Sequence, residues 1–442
     1  MKRRVRIFLL AVAWLAFPVL LRAAESASST SNPVSGVDEI YPDLEKLYLD
    51  LHQNPELSFH EEKTAAKMAV RLRALGFEVT TGVGKTGVVG ILRNGSGPTV
   101  MLRTDLDALP VEEKTGLPYA SKVTTKDDSG DTVRVMHACG HDVHMTSWIG
   151  AATLLSRAKD RWRGTLVMVG QPAEEKGGGA RRMLEDGLFT RFPKPDFAFA
   201  IHDSAEAPSG KVEFISGYAF ANVDSVDITI YGKGGHGAYP HTTVDPIVIA
   251  ARTVLALQTI VGRENNPLDP GVVTVGSIHG GTKHNIIPDE VKLQLTVRSY
   301  KDDVRKRMLA SIERIAKAES AAAGAPKPPQ VTVGEGTHAT YNDPALTKRV
   351  ADALSRGLGP ANVSAAEPVM GGEDFSEYGR AGVPATLVWV GAVEPKKFEA
   401  AKASGETLPS LHSPLFAPDR EPTIKTGVKT VTLAALELLG KP

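Results

Sequence analysis

The only cysteine of the chain, Cys139, lies in MHACGHD (136–142) with a histidine two positions away on either side, His137 and His141. A thiolate beside imidazoles is the donor set of a transition-metal site, and sulfur favours zinc over magnesium or calcium. A lone cysteine is otherwise a small buried apolar residue; the flanking histidines favour the metal. In extended backbone alternate side chains share a face, so Cys139 and His141 are expected to converge on one point. Asp142 is placed to accept a hydrogen bond from a ligating imidazole and fix its orientation. His144 reads as structural, in the helix that follows.

Further along, Glu174-Glu175 ends the strand-like run GTLVMVGQP. Two acids at a strand exit ordinarily make a solvated turn. Beside a Cys/His cluster they suggest one carboxylate on metal and its neighbour moving the proton of a water. Adjacent residues of an extended chain point opposite ways, so only one is expected to ligate. His202 closes the apolar run PDFAFAIHD, and His412 sits in the Pro-containing loop LPSLHSPLF. Each histidine alone is a weak signal. Together Cys139, His141, Glu175, His202 and His412 offer S, N and O donors for two divalent ions that share a ligand. Zinc is the first expectation, with manganese, cobalt and nickel compatible.

Two glycine-rich stretches do not carry nucleotide chemistry. GVGKTG (82–87) ends like a P-loop, but Val79 stands where the first glycine is required. GKGGHG (232–237) fits GxGxxG, yet it runs through GAYPHTTVDP before any helix and lacks an acid at the ribose position. Its glycines are read as a flexible or close-approach loop carrying His236.

These residues must be held by an alternating framework. VDEIYPDLEKLYLDLHQNPELSFHEEKTAAKMAVRLRALGFEV has the period of two helices broken at Asn54-Pro55, with Gly76 ending the second. Apolar, β-branched runs (TGVVGIL, PTVMLRTDLDAL, GTLVMVGQP) then alternate with helical ones. The order predicts an α/β fold, a mostly parallel sheet covered by helices on both faces. The candidate residues fall at strand ends, where such sheets bind ligands. From residue 221 the texture changes to strand-helix-strand-strand-helix-strand, the split βαβ order of a ferredoxin-like unit. The expected division is a catalytic part at 36–220 and 338–442, interrupted by an α+β lid or dimerisation domain at 221–337.

Composition narrows the partners. The chain has 442 residues, 42% hydrophobic and 23% charged, with Lys+Arg and Asp+Glu equal at 51 each. No basic excess draws it to nucleic acid or anionic lipid. Residues 1–25 read as a secretory signal peptide, a basic start before an apolar run from Ile7 to Leu21. A periplasmic or secreted protein is expected, with an uncleaved anchor as the alternative. No other segment reads as a membrane span, so no stable membrane association is expected after leader removal. One cysteine cannot form an internal disulfide, and a free thiol in an oxidising compartment must be buried or ligated.

In LHQNPELSFHE, RTDLDALP, MHACGHD, QPAEE, GGHGAYPH, NIIPDEVKLQLTVRS, GGEDFS and LHSP, in that order, the chain resembles the metal-dependent aminoacylase and carboxypeptidase family. The resemblance is to its amidohydrolase branch of hippurate hydrolases, N-acyl-amino-acid hydrolases and indole-acetyl amino acid hydrolases. It implies a dinuclear catalytic domain and an inserted lid that often mediates a homodimer. It also implies Cys139, His141, Glu175, His202 and His412 as ligands and Glu174 as general acid/base. His236 would polarise the scissile carbonyl, in some relatives across a subunit boundary. Asn285 and Arg298 would bind the substrate carboxylate. Other branches have His-x-Asp where this chain has Arg103-Thr104-Asp105, so Arg103 is not counted as a ligand.

The expected activity is hydrolysis of the amide of an N-acyl amino acid. Cleavage of short peptides by a carboxypeptidase or dipeptidase is the close alternative. A thiol hydrolase using Cys139 as nucleophile and a non-catalytic exported metal- or ligand-binding protein are the rivals of other kinds.

Overall fold

The computed structural model describes residues 34–441; the signal-peptide reading of residues 1–25 lies outside them. An eight-stranded sheet forms the body. Its order is Glu78–Val83, Gly87–Asn94, Gly164–Gln171, Thr99–Asp105, Phe197–Pro208, Ala385–Val393, Val212–Phe214, Val363–Ala365. The four central strands, from Gly164–Gln171 to Ala385–Val393, run parallel, and antiparallel strands flank them.

These strands read as unbroken apolar runs because both faces are covered. Val100 and Leu102 turn to one core and Met101 to the other; Leu166 and Met168 oppose Val167 and Val169 in the same way. The first core is covered by helices Val37–Gln53, His141–Arg157 and Arg420–Leu438, with Tyr48, Trp148 and Leu438 fully buried. The second is closed by the short helices Gly179–Glu185 and Ser376–Arg380, with Met183 and Tyr378 buried.

Between Phe220 and Thr340 the chain builds a second, four-stranded antiparallel sheet ordered Gly271–His279, Glu290–Ser299, Asn222–Tyr231, Gln330–Val333. Helices Pro246–Thr259 and Asp302–Ala322 cover one face, giving the ferredoxin-like order. Strict alternation along Asn222–Tyr231 and Glu290–Ser299 reflects one packed and one open face. One expectation needs correcting. The helical stretch Pro246–Glu264 is long and apolar enough, by length and composition, to pass as a span. In the fold it lies on the lid sheet through Ile249, Ala250, Leu257 and Ile260, while Ile247, Val248 and Leu255 stay exposed.

Candidate metal centre

The turn holding Cys139 is not extended, as the spacing argument assumed. Gly140 takes φ 71° and His141 opens the helix behind it. A Cβ at Gly140 would lie 2.0 Å from the Asp203 carboxylate, so both conformation and space demand glycine. The left-handed step, rather than strand alternation, brings thiol and imidazole together.

Two groups of donors share that thiol. Ligand atoms of Cys139, His141 and His202 lie within 4.8 Å of one another, and so do those of Cys139, Glu175 and His412. Cys139 Sγ is 3.6 Å from His202 Nε2 and 3.3 Å from His412 Nε2. Glu175 Oε1 stands 3.8 Å from His141 Nε2 and 3.5 Å from His412 Nε2. Thus all five expected ligands meet, with sulfur common to both groups as a bridging ligand would be. His412 is itself in the left-handed region at φ 66°, its N–H donated to the Ala138 carbonyl at 2.8 Å.

The ring tautomers suit cations. His141 Nδ1 donates to the Asp107 carbonyl at 2.8 Å and His202 Nδ1 to the Asp203 carbonyl at 2.7 Å. A carbonyl only accepts, so each Nε2 keeps its lone pair for the site. His141 Nε2 and Glu175 Oε1 are buried without a hydrogen-bond partner, a costly state that a bound cation relieves. The donor set and these orphaned atoms fit a pair of divalent metals.

Glu174 and Glu175 form a 3-10 turn after Ala173. Consequently both carboxylates, not one, come within 4.8 Å of His141. Burial, then Glu373 and Glu175, pushes the Glu174 carboxyl well above its ordinary range, as suits a group that takes and returns a proton. Burial likewise raises Glu175, to about 7. The Cys139 thiol is raised well above 9 by burial and then by Glu175, which disfavours a free thiolate nucleophile.

Several acids escaped the sequence reading. Asp142 does not orient a ligand; its Oδ2 is 2.7 Å from His52 Nδ1, while His52 Nε2 is 3.2 Å from Glu113. Asp107 takes the role expected of Asp142, through its carbonyl. His144 bridges Asp105 and Asp203 at 2.8 and 3.1 Å; burial opposes its charge, but the two carboxylates raise it to about 9. Arg103 is fully buried and bonded to Asp105 at 2.7 Å, Glu373 at 2.8 Å and Asp374 at 3.2 Å. It is a fixed counter-ion and no ligand. Acids within the apolar run PTVMLRTDLDAL were the available signal, since charged residues are rarely buried unpaired.

The lid residues are placed differently. His236 is exposed on the short strand Gly235–His236, its Nδ1 accepting from the Ala238 N–H at 3.0 Å. Asn285 is also exposed and bonds Gly237 through its carbonyl at 2.9 Å. Among the described residues neither forms a hydrogen bond or ion pair with the five-residue cluster. Arg298 reaches Thr296 Oγ1 at 2.9 Å and the Met370 carbonyl at 3.2 Å, beside the Gly371-Gly372-Glu373 loop of the body.

A model of the peptidase family M20/M25/M40 matches residues 101–410. The chain is 38% identical over 410 residues to thermostable carboxypeptidase 2 of Saccharolobus solfataricus, covering 92% of this chain and 98% of that one. It is 40% identical over 287 residues to hippurate hydrolase of Campylobacter jejuni, covering 65% and 72%. Among solved structures, a dinuclear metal-binding peptidase of the M20 family from Bacillus subtilis superposes with a TM-score of 0.72 at 29% identity, covering 91% of this chain and all of that one.

Proposed function

Because the chain belongs to the peptidase family M20/M25/M40 and is a metal-dependent hydrolase of amide bonds, we propose that it hydrolyses N-acyl amino acids at a dinuclear centre. Cys139, His141, Glu175, His202 and His412 would hold the two ions, with zinc favoured by the thiolate. When bound, the ions supply Lewis acidity and a water acidified from about 16 to about 7. Glu174 takes the proton of the attacking water and delivers it to the departing nitrogen. His236 donates to the carbonyl oxygen as negative charge develops there, and Asn285 and Arg298 take the substrate carboxylate. Since His236 is exposed and unattached to the cluster, this role requires the lid to close or a partner subunit to supply the ring. The exposed row Ile247, Val248 and Leu255 on the lid helix supports a homodimer through that face. Export follows from the leader reading alone.

The observation that carries this reading is the meeting of five donors around one thiol, with a proton-carrying acid beside them. Chelation should abolish hydrolysis of N-acetyl and N-benzoyl amino acids, and zinc or manganese should restore it. Activity that survives EDTA and dies with iodoacetamide would instead mark a thiol hydrolase. The likeness to a carboxypeptidase over almost the whole chain favours dipeptides as second substrates, so they belong in the same screen. Metal binding without turnover of any of these would leave the non-catalytic reading.

A further inference from the structure

Ala173 adopts φ 50°, ψ 44°, a left-handed conformation that glycine occupies freely and alanine does not. The step matters, because it aims Glu174 and Glu175 at His141. The turn is held from outside. Its three successive N–H groups each meet a carboxylate: Ala173 donates to Glu61 Oε1 at 2.8 Å, Glu174 to Asp107 Oδ1 at 3.1 Å, and Glu175 to Asp107 Oδ2 at 3.0 Å. Left- and right-handed residues in succession turn their N–H groups into one anion-binding concavity, and these two acids fill it.

Asp107 also touches His141 and belongs to the surroundings of the metal centre. Glu61 does not. It stands at the N-cap of helix Glu62–Ala74, yet its side chain makes no cap bond to that helix. Glu56 caps in its place, accepting from the Thr64 N–H at 2.7 Å. Relieved of that task, Glu61 is completely buried. Its Oε1 also accepts from the N–H of Phe59, itself at φ 65°, at 2.8 Å, and its Oε2 accepts from the Thr86 hydroxyl. One carboxylate therefore ties two left-handed non-glycine residues to the hairpin carrying Thr86.

We propose that Glu61 is a positioning residue for the proposed hydrolysis, its hydrogen bond to Ala173 holding the left-handed turn that sets Glu174 and Glu175. The inference rests on the roles given above to those two glutamates. It predicts a dependence on hydrogen bonding at one atom and a rescue by glycine.

Glu61→Ala, Glu61→Asp and Glu61→Gln are to be made alone and with Ala173→Gly. Each is scored by kcat and KM on an N-acyl amino acid and, independently of turnover, by cobalt or zinc titration of the metal-free chain. Glu61→Ala should lower kcat and weaken metal binding by about tenfold or more, the usual scale for groups that orient ligands, with KM little changed. Glu61→Gln keeps the accepting oxygen and should stay within about threefold of the parent. Ala173→Gly should recover at least about threefold of the Glu61→Ala loss, because glycine needs no external hold. If Glu61→Ala does not fold, Glu61→Asp, a methylene short of Ala173, carries the same comparison.

A variant that melts earlier but binds metal and turns over like the parent would overturn the proposal. So would Ala173→Gly deepening the loss. If the parent binds metal but cleaves no amide, the functional reading fails while the metal titrations still decide the role of Glu61.

Discussion

Cys139, His141 and His202 are buried on elements pinned from several sides, whereas His236 and Asn285 stand exposed on a short two-stranded antiparallel pairing of the lid. The first region is complete in a single chain: ring tautomers, counter-ions and orphaned donor atoms are already arranged. The second makes no hydrogen bond or ion pair with those donors among the described residues. A preorganised centre avoids reorganisation at the moment of reaction, while an exposed group can move to meet a substrate. The contrast implies that substitutions in the lid should change turnover without metal affinity, whereas substitutions in the body can change either.

The sharpest break comes in the body. Cys139→Ala removes the donor common to both groups, and we expect loss of bound metal together with a fall in turnover beyond about a thousandfold. Metal analysis and initial rates check this. Glu174→Gln should keep the metal content and still lose at least about a hundredfold in kcat. Retention of metal in the first or of turnover in the second would undo the division of labour.

In the lid no substitution is expected to touch the metal. His236→Ala should cost about a hundredfold in kcat, the scale of one lost oxyanion donor, while zinc content and melting temperature stay at parental values. A variant that also loses metal would mean that the strand carrying His236 is part of the centre, erasing the contrast. If the ring crosses between subunits, mixing His236→Ala with Glu174→Gln chains should restore part of the activity.

A third test addresses the support of the body alone. Burial opposes the charge on His52, but its bonds to Asp142 and Glu113 outweigh it and raise the imidazole from 6.5 to about 9. A raised pKa means that the folded state prefers the charged form. Its contribution is therefore complete below about pH 6.5 and fades as pH climbs through about 9, by on the order of 3 kcal/mol. Urea midpoints should fall across that window in the parent and change less in His52→Gln.

Much of this was legible in the sequence for physical reasons. Strands buried on both faces, such as Thr99–Asp105, must be unbroken apolar runs, and the half-open lid strands must alternate, so both sheets announced themselves. The cluster of five donors was legible because few other tasks need sulfur, imidazole and carboxylate in one chain. What stayed hidden depends on contacts between distant residues. His52 and Asp142 are 90 positions apart, and nothing in either segment names the other. The two glutamates converge only because Ala173 enters the left-handed region, which no propensity of alanine foretells. Glu61 precedes a helix, yet its side chain serves the turn at Ala173, a partner 112 positions away.

The smallest expected effect concerns the open side of the lid. Leu255 is 72% exposed and Val248 55% on the outer face of the lid helix, and the neighbouring sheet ends in the strand Gly271–His279, whose outer edge pairs with no strand of that sheet. An apolar row beside an open edge is a surface that folded chains normally cover. A second copy of the lid would cover both at once, because an edge strand can pair with its own symmetry mate and bring the two helices side by side. Leu255→Lys places a charge in that seam without touching the lid core, which is built from Ile249, Leu257 and Ile260 on the opposite face. Light scattering should show the parent as a dimer and the variant shifted toward monomer, with an unchanged melting profile and metal content. Turnover then reports on the lid histidine: it falls with dissociation if His236 serves the partner, and holds if each lid closes on its own body. A parent that is monomeric at every concentration would remove the dimer and leave lid closure as the only route by which His236 reaches the substrate.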